Sequence, residues 1–348
     1  MTPGRDGVVL VTGATGFLGR HVVAAAVRAG HDVRAMVRPG TDPEKLPWGA
    51  HPRLETVHAD LRSRRDLRAA VEGCETVVHL AATKTGDFAG RFAGTVVATE
   101  NLLDAMEGAG VARLVHCSTF SVYRAGAVPV GGVLDETSPL EEDPLQRDPY
   151  AQVKLIQEEM VRRWADTADR QLTVLRPGLI YGPGELWHAL LGVEILPSLW
   201  LRAGWRTTLP MAWVENVADA FVCALEQRPL APVTVNIVDD RLPSVGAYAR
   251  AVRPMVDTTP RLVLLGYPVM RTLVQAVASV NRSLLGGRLK LPGGLSPAPF
   301  EARFRPLRYT NDRAREALGW SPRVAFPATL ERAGNAASLV RLDGAPTP

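Results

Sequence analysis

Apolar and polar positions follow two periods along the first half of the chain. Short runs rich in β-branched residues read as buried strands: Val8 to Val11, Val33 to Val37, Leu54 to Ala59, Thr76 to Ala82 and Leu114 to Thr119. Stretches with helical spacing lie between them. Phe17, Leu18, Val22, Val23, Ala26 and Val27 share one side of a helix that stops at Ala29-Gly30, where glycine is the usual terminator. Val96 to Gly108 predicts another helix, and Asp148 and Pro149 mark the start of a third as N-cap and first-turn proline. This alternation predicts an α/β fold, a Rossmann-type doubly wound parallel sheet whose ligands bind beyond the carboxyl ends of the strands. The expected division is a dinucleotide-binding Rossmann domain over 1–177 with 211–238, and a smaller C-terminal substrate-binding lobe over 178–210 with 239–340.

The first strand runs into a glycine-rich turn, VVLVTGATGFLG. Gly13 suits the tight turn, Gly16 lets backbone approach a pyrophosphate, and Gly19 lets the helix pack closely on the strand. The anion would sit on free N–H groups at the helix N-terminus. At the end of the second strand a carboxylate would accept hydrogen bonds from a ribose but repel a 2′-phosphate. Val37 holds that place and Arg38 follows, which favours NADP(H), with NAD(H) still possible. The alternative for Arg38 is a solvated surface charge. Asp60, after the third strand, is placed to reach an adenine edge or to serve as a turn residue.

Tyr150 and Lys154 stand four residues apart, on one face of the helix that Asp148 caps. An ammonium close to a phenol is expected to favour the phenolate and lower its pKa. With Thr119 at the end of the fifth strand, the three form the expected catalytic set: Thr119 holds the substrate oxygen, Tyr150 gives or takes its proton, and Lys154 holds the nicotinamide ribose. Lysine occurs only at 45, 84, 154 and 290.

With these residues in place, the chain resembles the extended branch of the short-chain dehydrogenase/reductase superfamily, epimerase/dehydratase-like, with some likeness to its hydroxysteroid dehydrogenase-like members. The motifs are TGATGFLG at 12–19, VVHLAA at 77–82, STFSVY at 118–123, YAQVK at 150–154, LRPGLIYGPG at 175–184, VENVADAFVCALE at 214–226 and RYTNDRAREALGWSPRV at 308–324. The resemblance implies a cofactor held by Gly13, Thr15, Gly16, Phe17, Leu18 and Gly19, by Arg38, Asp60 and Leu61, by Leu80, Ala81 and Ala82, and by Lys154 and Pro177. Three departures stand out. Phe120 and Ser121 replace the Asp and Glu of sugar dehydratases, so no acid-base pair is present to expel water. Thr95 stands where relatives often place an Asn that orders a relay water, and Arg124 replaces the glycine that usually follows the VY pair. Relatives often dimerise through helices corresponding to 96–108 and 149–165, which implies a possible homodimer.

Residues 126–147, rich in Gly, Pro and acids, read as a mobile flap or as an ordinary surface connection. Trp187, Trp200, Trp205 and Trp213, four of the seven tryptophans, suggest a greasy or ring-bearing substrate. A helix from about Val269 to Leu285 sets Met270, Leu273, Val274, Val277, Val280 and Leu284 on one face, expected mainly to be core, though the helix could also rest on a membrane surface.

Composition narrows the classes. A chain of 348 residues with 46% hydrophobic content can bury a large core. The charge of +4 is mild and the basic residues are scattered, so nucleic acid is not indicated. Cys74, Cys117 and Cys223 have no metal spacing and read as reduced core thiols, so no metal is expected and a cytoplasmic protein is. The reading is an NADP(H)-dependent ketoreductase or alcohol dehydrogenase acting on a bulky, partly apolar small molecule. The alternatives are an NAD-dependent sugar-nucleotide epimerase, for which Arg202, Arg206, Arg241, Arg303 and Arg305 could supply cations, and a non-catalytic nucleotide sensor.

Overall fold

Seven parallel strands make the central sheet: β1 (Val8–Thr12), β2 (Asp32–Val37), β3 (Leu54–His58), β4 (Cys74–His79), β5 (Arg113–Cys117), and, after the two-residue β6 (Val133–Leu134), β7 (Gln171–Pro177). The seventh sheet strand comes later in the chain. It follows β8 (Leu179–Tyr181), β9 (Val193–Leu196), β10 (Leu199–Ala203) and β11 (Met211–Trp213) as β12 (Val233–Ile237), and β13 (Arg261–Leu265) and β14 (Arg308–Tyr309) complete the set. The sheet order is β12-β7-β5-β4-β1-β2-β3, every pair parallel. The computed structural model describes residues 7–167, 169–187, 191–196, 199–228, 231–256, 261–286, 296–334 and 339–342.

The apolar runs are strands because both faces of the sheet are covered. In β1, Val9 and Val11 point into one core with helices α1 (Phe17–Arg28) and, further on, Val214–Gln227, while Leu10 points into the other with Arg64–Val71 (α2). Each such side chain taken fully out of water contributes about 1.5–3 kcal/mol. The order reverses between β1 and β4, and there the loops after both strands meet. In a doubly wound sheet that crevice is where ligands bind. This bears out the doubly wound α/β reading, with two differences in extent. The fourth strand ends at His79, not Ala82, because Leu80 to Ala82 leave the sheet to line the crevice. The helix expected from Val96 instead begins as α3 (Phe88–Phe92), passes through a π-helical turn at Ala93–Val97, and continues as α4 (Ala98–Gly108).

The remaining α-helices among the described residues are α5 (Pro149–Ala165), α6 (Val214–Gln227), α7 (Val245–Val252), α8 (Tyr267–Leu285), α9 (Pro297–Phe304), α10 (Asp312–Leu318) and α11 (Ala328–Ala333). Residues 126–147 are tied down more firmly than a mobile flap would be. Buried Arg147 donates to the Tyr123 carbonyl at 2.9 Å, Arg305 Nε donates to the Val128 carbonyl at 2.6 Å, β6 pairs with β14, and Glu136 accepts from the Asn236 amide at 2.6 Å. Its acids and glycines serve turns and these clips instead of a hinge.

The core expectation for α8 is corrected. Met270 and Val274 are buried with Tyr267 against Phe300 and Phe304, but Leu273, Val277, Val280 and Leu284, with Val269, are 46–76% exposed. The apolar arc is wider than the groove that receives it. None of the described helices is long and apolar enough to cross a membrane. Met270→Ala should therefore cost about 2–5 kcal/mol of unfolding free energy in denaturant titration, and Leu284→Ser should change it by less than about 0.5 kcal/mol.

Candidate active site

The crevice is shaped by backbone first. Gly13 has φ +68°, and a Cβ on it would lie 2.9 Å from the Ala81 nitrogen, so the turn after β1 and the segment after β4 touch through glycine. A Cβ on Gly19 would lie 2.1 Å from the Gly13 carbonyl oxygen, which fixes how closely α1 crosses the turn. Gly16 caps α1 without a side-chain hydrogen bond, so the first N–H groups of the helix, at Phe17, Leu18 and Gly19, face the crevice free of a side-chain cap. Thr15 and Gly16 are exposed at its mouth. This is a cradle that fits the pyrophosphate of a dinucleotide.

On the adenosine side, Val37 is buried at the end of β2 and Arg38 is exposed after it. The Asp60 carboxylate accepts from the Arg62 backbone amide at 2.9 Å and pairs with the Arg62 guanidinium at 2.7 Å. Arg62, with a smaller contribution from Arg38, holds the Asp60 carboxyl below its usual range. The turn role of Asp60 is thus the one the side chain fills. The Leu61 carbonyl accepts from Asn101 at 3.0 Å, which ties that loop to α4.

At the other end of the crevice, Asp148 caps α5 by accepting from the Ala151 amide at 3.2 Å, with Pro149 in the first turn. The helix turns Tyr150 and Lys154 toward the end of β5. Lys154 is buried and donates to the Cys117 carbonyl at 2.6 Å. Thr119 lies just past β5 as the cap of a short turn, its hydroxyl accepting from the Ser121 amide at 3.2 Å, with Tyr150 close enough to feel that hydroxyl. The three residues named from sequence therefore gather around Cys117 to Thr119. Pro177 is buried at the end of the neighbouring β7.

The electrostatics differ from expectation. Burial raises the Tyr150 phenol well above its ordinary value, and the Cys117 thiol adds to this while the Thr119 hydroxyl opposes it. Burial also lowers Lys154 to about 8. Lys154 donates to Cys117 and Gln157, so the expected lowering of the phenol by the ammonium is not found in this arrangement.

Sequence reasoning missed the layer behind these residues. Gln157 and Glu158 lie on the buried face of α5, among Val153, Lys154 and Val161. Glu158 binds Arg176, Arg162 and the Ser118 hydroxyl; although burial pushes its carboxyl up, these partners outweigh it and hold it at about 2. Arg176 thereby turns into the core, over the Tyr123 ring, and not toward the crevice. The available signal was two consecutive polar residues on the helix face that carries the apolar stripe.

Across the crevice, a small cavity of about 20 Å³ is lined in part by Thr207, Thr208, Pro210, Arg303, Phe304 and Tyr309. It adjoins the catalytic end: the Tyr309 ring packs on Phe120 at 5.7 Å, and the charge of Asp148 acts on Arg303. The other arginines considered for a diphosphate are dispersed, with Arg202 buried over Trp205, Arg206 and Arg241 exposed, and Arg305 paired to Glu301. The tryptophans do not form one wall either. Trp213 is core against Tyr181, Trp187 and Trp200 pack on each other, and Trp205 lies between Arg202 and Arg250.

Comparison with known proteins places the chain in a family. Residues 9–237 match the model of the NAD dependent epimerase/dehydratase family. The 3 beta-hydroxysteroid dehydrogenase/Delta 5→4-isomerase of Mycobacterium tuberculosis is 31% identical over 335 residues, covering 91% of this chain and 86% of that protein. The 2-alkyl-3-oxoalkanoate reductase of Stenotrophomonas maltophilia is 34% identical over 352 residues, covering 93% and 97%. Among solved structures, the UDP-glucose 4-epimerase of Thermus thermophilus in complex with NAD superposes with a TM-score of 0.67 at 21% identity, covering 95% of this chain and 99% of that one, which is likeness of fold. The chain therefore belongs to the NAD-dependent epimerase/dehydratase family within the extended short-chain dehydrogenases/reductases, and it is an NAD(P)-dependent oxidoreductase.

Proposed function

We propose that the protein is an NADP(H)-dependent ketoreductase or alcohol dehydrogenase acting on a bulky, partly apolar ketone or secondary alcohol. The observation that carries the reading is the gathering of Thr119, Tyr150 and Lys154 at the end of β5, beside the glycine cradle after β1. When bound, NADP(H) supplies or accepts the hydride. In the reductive direction, Thr119 orients the substrate oxygen and Tyr150 delivers its phenolic proton to that oxygen. A phenol kept protonated by burial is suited to that donation. Lys154, fixed at the strand end by the Cys117 carbonyl, would hold the nicotinamide ribose. The two relatives, named for activity on a hydroxysteroid and on a 2-alkyl-3-oxoalkanoate, support a bulky substrate bearing a ketone or secondary alcohol. The scatter of the arginines weighs against a sugar diphosphate.

The NADP(H) preference rests on buried Val37, exposed Arg38 and the occupation of the Asp60 carboxylate by Arg62. A charge-assisted bond from Arg38 to a 2′-phosphate would contribute about 1.5–3 kcal/mol, roughly ten- to hundredfold in affinity. The double change Val37→Asp with Arg38→Ala should move the ratio of kcat/KM toward NADH by about that factor. An unchanged ratio would mean that Arg38 does not touch the phosphate. Steady NADPH oxidation with a bulky ketone tests the reading as a whole. Tightly held NAD with no net cofactor use would replace it with the epimerase.

A further inference from the structure

Lys154 is not held by the strand end alone. Its Nζ donates to the Gln157 side-chain oxygen as well as to the Cys117 carbonyl, and both Lys154 and Gln157 are buried. The groups around Gln157 fix which way its side-chain amide faces. The Thr99 hydroxyl donates to the Thr95 carbonyl at 2.6 Å, so its oxygen is left to accept. It accepts from Gln157 Nε2 at 2.8 Å, and His79 Nε2 lies 2.9 Å from it and 3.1 Å from Gln157 Nε2. The other His79 ring nitrogen, Nδ1, pairs with the Thr12 hydroxyl at 2.7 Å. The second Gln157 N–H reaches the Ala81 carbonyl at 3.2 Å. Turning the amide over would set its oxygen against that carbonyl, so the oxygen must face Lys154. The ammonium is thus fixed through a glutamine anchored on β1, β4 and α4, the elements that form the crevice.

We infer that Gln157 is a positioning residue which, by presenting its side-chain oxygen to the Lys154 ammonium inside a closed hydrogen-bond network, fixes that cation at the active-site end of β5 and sets how readily it loses its proton. The catalytic consequence rests on the redox reading proposed above, whereas the coupling of Gln157 to Lys154 does not. The other titratable and charged groups facing Lys154 are Cys117 and His116 on β5, His79 on β4, Lys84 beyond it, and Glu158 on α5. Burial holds His79 at about 3 and His116 well below its usual range, so both are neutral in the working range. Gln157 is then the uncharged acceptor whose replacement can push Lys154 in either direction.

The experiment is an NMR titration of lysine Nζ in protein carrying ¹⁵N-lysine, with the Lys154 signal identified by Lys154→Met; four lysines give few signals to separate. Gln157→Met, which keeps the length but removes the oxygen, should lower the Lys154 midpoint by about one unit. Gln157→Glu should raise it by a comparable amount, and the alkaline limb of the kcat profile should move with it in each variant. Shifts of the same sign in both variants, or of less than about 0.3 unit in both, would overturn the inference even if turnover fell, since a purely structural glutamine would give that pattern. Should one variant fail to fold, the other decides by the sign of its shift. In the unmodified protein the Lys154 ammonium protons should stay visible at pH 7, and their loss by rapid exchange with water would equally overturn it. If the midpoints shift as expected while no ketone oxidises NADPH, the network stands and the redox reading fails.

Discussion

Tyr150→Phe is expected to lower kcat for ketone reduction by about 10²–10⁴-fold, the usual contribution of one positioned acid-base group. Cofactor affinity should change little, because the crevice residues that face the pyrophosphate belong to the β1 turn and α1. The loss should appear in kcat and kcat/KM together, the sign of an interaction that acts only in the transition state. Steady-state kinetics with NADPH titrated separately checks both halves. Turnover within threefold of the unmodified protein would remove Tyr150 from the chemistry. Loss of NADPH binding alongside would show that the phenol shapes the crevice instead.

Gly19→Ala should be nearly as damaging, but through a different link. The added methyl would stand 2.1 Å from the Gly13 carbonyl and 2.8 Å from that of Ala14. Both obstacles are backbone, so neither can swing aside as a flexible side chain would. Forcing α1 away from the turn should cost about 1–3 kcal/mol of stability, and it spreads the N–H groups that face the anion. NADPH affinity should fall at least about tenfold, seen as a rise in Kd by fluorescence titration, together with a lower Tm. A variant with unaltered Kd would mean that the pyrophosphate does not use this end of α1.

These two residues illustrate what the chain discloses by itself. Gly13 and Gly19 are legible because the requirement they meet is local: a turn with positive φ at the first and a close helix crossing at the second leave no choice of side chain. Strand runs such as Val8 to Val11 are legible because a sheet covered on both faces demands unbroken apolar residues, and the doubly wound sheet follows from their alternation with helices. What stays hidden depends on partners distant in sequence. The apolar arc of α8 gives no hint of how wide a groove receives it, so spacing groups Leu273 and Val277 with Met270 although only Met270 of the three is buried. Tyr150 and Lys154 share one helix, but spacing cannot show that Lys154 is drawn to Cys117 and Gln157. The glutamine itself carries little signal, because its meaning comes from Thr99 and His79, 58 and 78 residues away. Arg147 and Glu136 likewise look like the charges of a loose loop unless their partners on other elements are known.

The central claim is that hydride passes between a nicotinamide and a substrate carbon beside Tyr150. Its most direct test is reduction of a bulky ketone with NADPH carrying deuterium at the transferable position of nicotinamide C4. The expected result is one deuterium on the carbinol carbon of the product for each cofactor oxidised, and none when Tyr150→Phe is used over the same time. Product free of deuterium, or a cofactor that stays bound and unoxidised while substrate is converted, would contradict it.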